Sequence, residues 1–396
     1  MPTLARRIIA HGAAGDWPKH RMIGFAPLHY APMIPLIDLR RLHEPCADEL
    51  RKALGSVLDS GTFVLGRECT RFEAAFAAWC GARHAVGVGN GTDAIEIALR
   101  ALGIGASDAV ATVANAGGYA TTAIVACGAT PVFVDVDDGT CNVDVAALGA
   151  AIAHGVRAVV LTHLYGRLAA AEAVAKLCVD AGIYLVEDCA QAHGATLRDR
   201  RAGTFGAAGC FSFYPTKNLG ALGDGGAIVT NDAAIADKVR RLRQYGWQAK
   251  YQSVDAGGRN SRLDELQAAV LSAKLPYVDA QNARRREIAR CYTERISNPA
   301  IAVPARAGGS DVVHLFVVRS RHRDALAAHL RHAGVHTDVH YPVPDHRQPV
   351  FGARFATTKL PLTERLADEV LTLPCHPAMT DDEVSHVIAA CTAFTA

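Results

Sequence analysis

Three stretches of the 396-residue chain carry side chains with chemical potential out of the ordinary. Lys217 sits in Gly209-Cys210-Phe211-Ser212-Phe213-Tyr214-Pro215-Thr216-Lys217-Asn218-Leu219-Gly220, a run of small and aromatic residues with no acid nearby to pair an ammonium. Asp188 closes Ile183-Tyr184-Leu185-Val186-Glu187-Asp188, which reads as a wholly buried strand. An unpaired carboxylate there is costly or takes up a proton, so it requires a cationic partner. Gly89-Asn90-Gly91-Thr92-Asp93 opens a helix directly after a strand, leaving free N–H groups and a positive dipole end for an anion.

Each feature taken singly has a plainer reading. Lys217 alone reads as a surface lysine with its stem on apolar ground, Asp188 as a helix N-cap, and Asp93 with Glu96 as a capping pair. Together they supply the nucleophilic amine, the acid and the phosphate cradle that a pyridoxal phosphate site needs. A partly neutral Lys217 would form an imine, while Asp188 would hold a pyridine nitrogen protonated and make the ring an electron sink. Gln191 is placed to reach the ring hydroxyl, and Ser212, five residues before the lysine, to reach the phosphate. A nicotinamide fingerprint is excluded, because Gly87-x-Gly89 is followed by Thr92 where a third glycine is required. His336, His340 and His346 invite a metal, but no carboxylate or cysteine stands at ligand spacing and Pro342 and Pro344 favour an extended loop. Substrate hydrogen bonding by His340 and Tyr341 is the better reading, and no metal is expected.

The elements that must position these groups follow from periodicity. Between His84 and about Thr230, β-branched runs alternate with helical patterns, which argues for a mostly parallel α/β sheet. Strands are expected at 85–88, 109–113, 132–135, 158–162, 184–187, 209–213 and 227–230. Helices at 93–102 and 171–181 each end at a glycine, Gly103 and Gly182. Asn90, Asn115 to Tyr119, His163, Asp188 and Lys217 fall just past strand ends, where open α/β sheets bind ligands, so they are expected to share one crevice. Beyond Asp255, long helices are expected at 263–275 and 283–296. Arg284, Arg285, Arg286 and Arg290 of the second read as a solvated face. Phe316-Val317-Val318, a helix over 323–333 and a Pro-rich loop suggest a small α+β domain.

Length suggests more than one domain, read as a loose N-terminal extension over 1–33, a large cofactor-binding domain over 34–270 and a small domain over 271–396. Half the residues are hydrophobic and the net charge is only +2, so nothing calls for nucleic acid or membrane. Eleven cysteines, an odd number with no C-x-x-C pair, read as buried thiols in a reducing cytoplasm.

Read together, several segments resemble the DegT/DnrJ/EryC1/StrS sugar aminotransferases, which have the aspartate aminotransferase-like fold, type I among pyridoxal-phosphate enzymes. The matching segments include Gly87-Val88-Gly89-Asn90-Gly91-Thr92-Asp93-Ala94, Pro131-Val132-Phe133-Val134-Asp135-Val136-Asp137, Glu187-Asp188-Cys189-Ala190-Gln191-Ala192-His193-Gly194, Phe211-Ser212-Phe213-Tyr214-Pro215-Thr216-Lys217-Asn218, Asn260-Ser261-Arg262-Leu263-Asp264-Glu265 and His340-Tyr341-Pro342. The resemblance implies a seven-stranded, mostly parallel sheet flanked by helices, with a smaller C-terminal α+β domain. It implies Lys217 as the aldimine-forming and proton-moving lysine, Asp188 at the pyridine nitrogen, Gln191 near the ring oxygen and Tyr119 over the ring. Gly91, Thr92 and Ser212 would hold the phosphate of pyridoxal 5′-phosphate, with Asn260 reaching it from a neighbouring subunit, which implies a homodimer with shared sites. His340, Tyr341 and Arg262 would position the substrates. Lysine at 217, where the family's dehydratases carry histidine, implies ping-pong transamination. Leu219 to Gly226 and Asn260 to Asp264 look like the branch that moves an amino group from L-glutamate to C-3 of a nucleotide-linked (dTDP- or UDP-) keto sugar. Alternatives are a 4-keto sugar nucleotide, an aminocyclitol precursor, or a non-catalytic regulatory protein that binds the cofactor.

Overall fold

In the computed structural model, which describes residues 33–305 and 309–396, the alternating segments between His84 and Thr230 form one seven-stranded sheet. Its strands are β1 (His84–Val88), β2 (Ala109–Val113), β3 (Thr130–Val134), β4 (Ala158–Thr162), β5 (Tyr184–Asp188), β6 (Ala208–Ser212) and β7 (Gly226–Thr230). All seven expected strands are present within two residues of the expected bounds. The spatial order is β1-β7-β6-β5-β4-β2-β3, and β7 alone runs against its neighbours. Burial on both faces explains why β4 and β7 read as continuous apolar runs. Residues 1–32, the bulk of the expected extension, lie outside the described residues.

The helix Gly91–Ala101 packs behind the sheet, with Ala94, Ile95, Ile97, Ala98 and Leu99 all buried. It and Ala171–Ala181 end as expected, with Gly103 and Gly182 at positive φ. The second expected long helix begins earlier, spanning Val278–Arg295, because a single 3₁₀ turn at Leu275–Tyr277 carries Pro276 and joins it directly to Glu265–Lys274. The antiparallel strands Phe316–Arg319 and Val370–Leu373 and the helices Arg323–His332 and Asp381–Thr392 pack on it through Tyr292, Phe316, Leu326, Leu371 and Ile388. Among the described residues no helix is long and apolar enough to cross a membrane.

Two features differ from expectation. Asp93 and Glu96 are not a capping pair: Asn90 caps the helix, its Oδ1 accepting from the Asp93 N–H at 2.9 Å, while both acids pair with Arg259. Asn90 occupies the N-cap with extended backbone, which puts Asp93 at the third helical position, where it cannot cap. The arginine run is not uniformly solvated either. Arg284 and Arg290 pair at the surface with Glu287 and Asp381, and with Glu294, whereas Arg285 is only 3% exposed.

Glu187, the residue before Asp188, anchors this end of β5. Its fully buried carboxylate accepts from the amides of Gly203, Phe205 and Gly206 at 2.7–2.9 Å and from His163 Nε2 at 3.0 Å. The Ala169 amide donates to His163 Nδ1 at 3.2 Å, which assigns the ring proton to Nε2. Glu187, His163 and Cys189 lie close enough to suggest a metal, but the carboxylate and imidazole are already satisfied by protein partners. Glu187→Ala would strand three amides, those of Gly203 and Phe205 buried, and is expected to lower unfolding free energy by about 3 to 5 kcal/mol. The midpoint of urea unfolding measures it.

Candidate active site

A cavity of about 630 Å³ opens at the carboxyl ends of β5 and β6, within the size range of small-molecule sites. Asp188 ends β5 and Ser212 ends β6; Lys217 follows on the turn after β6. The turn is held by Lys217 N–H donating to the Tyr214 carbonyl at 2.8 Å and Phe213 N–H to the Gly225 carbonyl at 2.7 Å. From β1, Asn90, Gly91 and Thr92 reach the same space, and Tyr119 arrives from the helix Tyr119–Ala126. Gly117 at φ 79° makes the turn before it, and a Cβ there would meet the Tyr341 ring at 2.8 Å.

Lys217 and Asp188 face one cavity, yet no direct ion pair within 4.0 Å joins them among the described residues. Burial lowers the Lys217 amine from 10.5 to about 8, and Asp188 opposes that shift. Burial likewise raises the Asp188 carboxyl, against stabilisation by the Ala190 amide at 3.1 Å, by Lys217, by His163 and by the Thr162 hydroxyl. The carboxylate therefore waits for a cation, and the amine carries a substantial neutral fraction near neutrality.

The phosphate cradle is equally open. Asn90 caps Asp93 and the Asn90 carbonyl takes the Ala94 N–H, which leaves the Gly91 and Thr92 amides without an intrahelical partner. Ser212 stands against them: a Cβ on Gly91 would lie 2.6 Å from Ser212 Cβ. Only glycine lets this hydroxyl and these amides approach one anion.

Gln191 lines the cavity, its Oε1 accepting from the Tyr165 N–H at 2.6 Å and its Nε2 donating to the Tyr341 hydroxyl at 3.0 Å. His340 is there too, its Nδ1 2.8 Å from the Thr372 hydroxyl, and burial lowers its pKa. Asn115 and His163 are not in the cavity. Asn115 is buried and donates to the Cys141 carbonyl at 2.9 Å, and His163 is spent on Glu187, so the shared crevice is narrower than expected. Asn260 and Arg262 do not line it in this chain; Asn260 bridges to Gln244 at the surface.

Sequence reasoning missed Arg285, His314 and His376, which all line the cavity. A signal was present for the first: Val278, Asn282, Arg285, Ala289 and Tyr292 recur at helical spacing and are all buried.

The comparisons with known proteins fit this geometry. Residues 45–392 match the model of the DegT/DnrJ/EryC1/StrS aminotransferase family. The chain belongs to that family. It is 43% identical over 359 residues to the dTDP-3-amino-3,6-dideoxy-alpha-D-galactopyranose transaminase of Aneurinibacillus thermoaerophilus, covering 90% of this chain and 98% of the relative. A protein of Geobacillus stearothermophilus named pleiotropic regulatory protein is 40% identical, with 90% and 96% covered. The crystal structure of S. venezuelae DesV in complex with a ketimine intermediate superposes with a TM-score of 0.87 at 42% identity, covering 91% of this chain and 98% of that one. The family is pyridoxal-phosphate dependent, and the solved NtdA of Bacillus subtilis holds the cofactor PMP, with a TM-score of 0.86 at 28% identity over 92% of this chain and 85% of that one. The chain is thus an aminotransferase, and the donor set fits the cofactor: two open amides and a hydroxyl for a phosphate, a buried carboxylate for a pyridinium, an amine for the aldehyde.

In the chain freed of cofactor, folding prefers neutral Lys217, so between about pH 8 and 10.5 the unfolded state binds the extra proton and stability from this group rises with pH. Acetic anhydride labelling of the cofactor-free chain, read by peptide mass spectrometry, should show Lys217 reactivity rising with a midpoint near pH 8. A midpoint near pH 10.5, the ordinary lysine value, would contradict the burial effect.

Proposed function

We propose that the chain moves an amino group from L-glutamate to the C-3 keto group of a nucleotide-linked sugar, by a ping-pong sequence in one pocket. The observation that carries this reading is the Lys217 amine facing Asp188 across a cavity that ends in unpaired amides. Pyridoxal phosphate, when bound, supplies the carbonyl and the electron sink. Gly91, Thr92 and Ser212 would hold its phosphate, Asp188 its ring nitrogen, Gln191 its ring oxygen and Tyr119 a ring face.

Lys217 would act twice. Its amine is the attachment point, and once displaced by the donor it moves a proton between the donor's α-carbon and the cofactor. An amine lowered to about 8 both accepts and returns a proton near neutrality. Tyr341 stays protonated because burial raises its phenol, so with His340 it can position a sugar hydroxyl or carbonyl.

The C-3 position and the nucleotide linkage rest on the names of the relatives, the dTDP-sugar transaminase above all. A second copy of the chain would bring Asn260 to the phosphate and Arg262 to the substrate, so the working form is a homodimer, and the cytoplasm is its compartment. The relative named for regulation marks the rival reading, in which bound cofactor turns nothing over.

L-Glutamate added to the cofactor-loaded protein should convert the imine absorbance to that of the amine form, and NMR of the sugar product should place the new nitrogen on C-3. Lys217→Ala should abolish the imine absorbance and cut turnover by roughly 10⁴-fold or more. Retained turnover refutes the role of Lys217; a cofactor unmoved by glutamate favours the regulatory reading.

A further inference from the structure

One wall of the cavity is built from Arg285, His314, Cys375 and His376. Arg285 comes from the buried face of the helix Val278–Arg295. Its Nη1 donates to the carbonyls of Cys375 at 2.7 Å and His314 at 3.4 Å, which fixes one corner of the guanidinium. Arg285 forms no ion pair among the described residues, although three acids, Asp188, Asp224 and Asp338, line the same cavity. Nε is buried without a partner, and no acceptor among the described residues engages Nη2. These two nitrogens share one edge of the plane, and that edge matches the two oxygens of a carboxylate.

His376 adds a second unfilled group. It is 1% exposed, and both of its ring nitrogens are buried without partners. Burial, with Arg285 and Arg41 nearby, lowers its pKa to about 4, so it is a neutral imidazole offering one donor and one acceptor. His314 cannot do the same work, because its Nδ1 is engaged with Asn218 Oδ1 at 2.9 Å. A buried guanidinium with an idle bidentate edge, beside a histidine with two idle nitrogens, is an arrangement that calls for an anionic, planar ligand.

We propose that Arg285, with His376, is the recognition site for a carboxylate of the amino donor. This rests on the aminotransferase reading and assigns the donor a cation from within the chain's own cavity. The main-chain carbonyls of Cys375 and His314 aim the guanidinium; the donor carboxylate takes its Nε–Nη2 edge, and the His376 N–H donates to a carboxylate oxygen. In this assignment the keto sugar, which enters the same cavity in the second half of the reaction, does not take that edge.

The test follows the absorbance of the cofactor-loaded protein with L-glutamate, its α-amide and its 5-amide. In the unaltered chain one of the two amides should react roughly 100-fold less efficiently in kcat/KM, and which one identifies the carboxylate that is bound. Arg285→Lys should raise KM for L-glutamate at least tenfold while KM for the keto sugar stays within about twofold, and Arg285→Gln should erase the preference for acid over amide. Equal reaction with all three donors in the unaltered chain overturns the proposal even if the variants fail to fold. An equal rise of both KM values in Arg285→Lys also overturns it. No spectral change with L-glutamate removes the aminotransferase reading itself, a different result from indifference to amidation.

Discussion

The site depends on holding two opposite charges, Lys217 and Asp188, in a low-dielectric crevice without letting them collapse into an ion pair. Asp188 is buried and Lys217 is half-buried in the cavity wall, and desolvation shifts each toward its neutral form. In water the pair would be worth little; inside the protein an unneutralised carboxylate and an unpaired ammonium are both costly to keep. That cost is offset by binding a group with a cation for the acid and a carbonyl for the amine, and it makes the chain selective for such a group. The same logic extends to Arg285, a buried cation whose carboxylate partner is supplied by no described residue.

Keeping the charges apart is the task of the surrounding fold. Asp188 is at the end of β5 because Glu187, one residue earlier, points away from it and ties β5 to the 203–206 turn through three amides and to β4 through His163. Alternation along a strand puts successive side chains on opposite faces, so one acid can be structural and its neighbour chemical. Lys217 is held by the tight turn after β6, and the absence of a side chain at Gly91 lets Ser212 approach the helix end. Rigid sheet ends set the acid and the hydroxyl, while the amine sits on a short tethered turn.

Much of this was legible in the sequence, for identifiable reasons. The seven strands were found because each is short and apolar, most are rich in β-branched residues, and turn residues bound them. Asp188, Lys217 and the glycine turn were found because each breaks a local expectation: an acid ending an apolar strand, a lysine without an acid, glycines opening a helix. Residues whose role depends on distant partners were not. Glu187 and Asp188 are adjacent acids, and nothing local says which is satisfied by amides. His163 follows a strand as Asp188 does, yet its ring is turned onto Glu187. Arg285 was masked by its arginine neighbours, since composition treats the run as one feature while helical geometry sends a single member inward. Asn260 and Arg262 do not line the cavity of this chain, and nothing in their local sequence says so.

Lys217 has a useful internal rival. Lys274 is also buried, its amine is also lowered to about 8, and it donates to the Gly220 carbonyl on the same turn region, but it does not line the cavity and faces neither Asp188 nor the open amides. A neutral amine alone would react at either lysine; the account requires the acid and the cradle as well. Borohydride reduction of the protein loaded with one equivalent of pyridoxal phosphate, followed by peptide mass spectrometry, separates the two. The reduced adduct is expected on the peptide carrying Lys217. An adduct on Lys274, or spread across both, would contradict it.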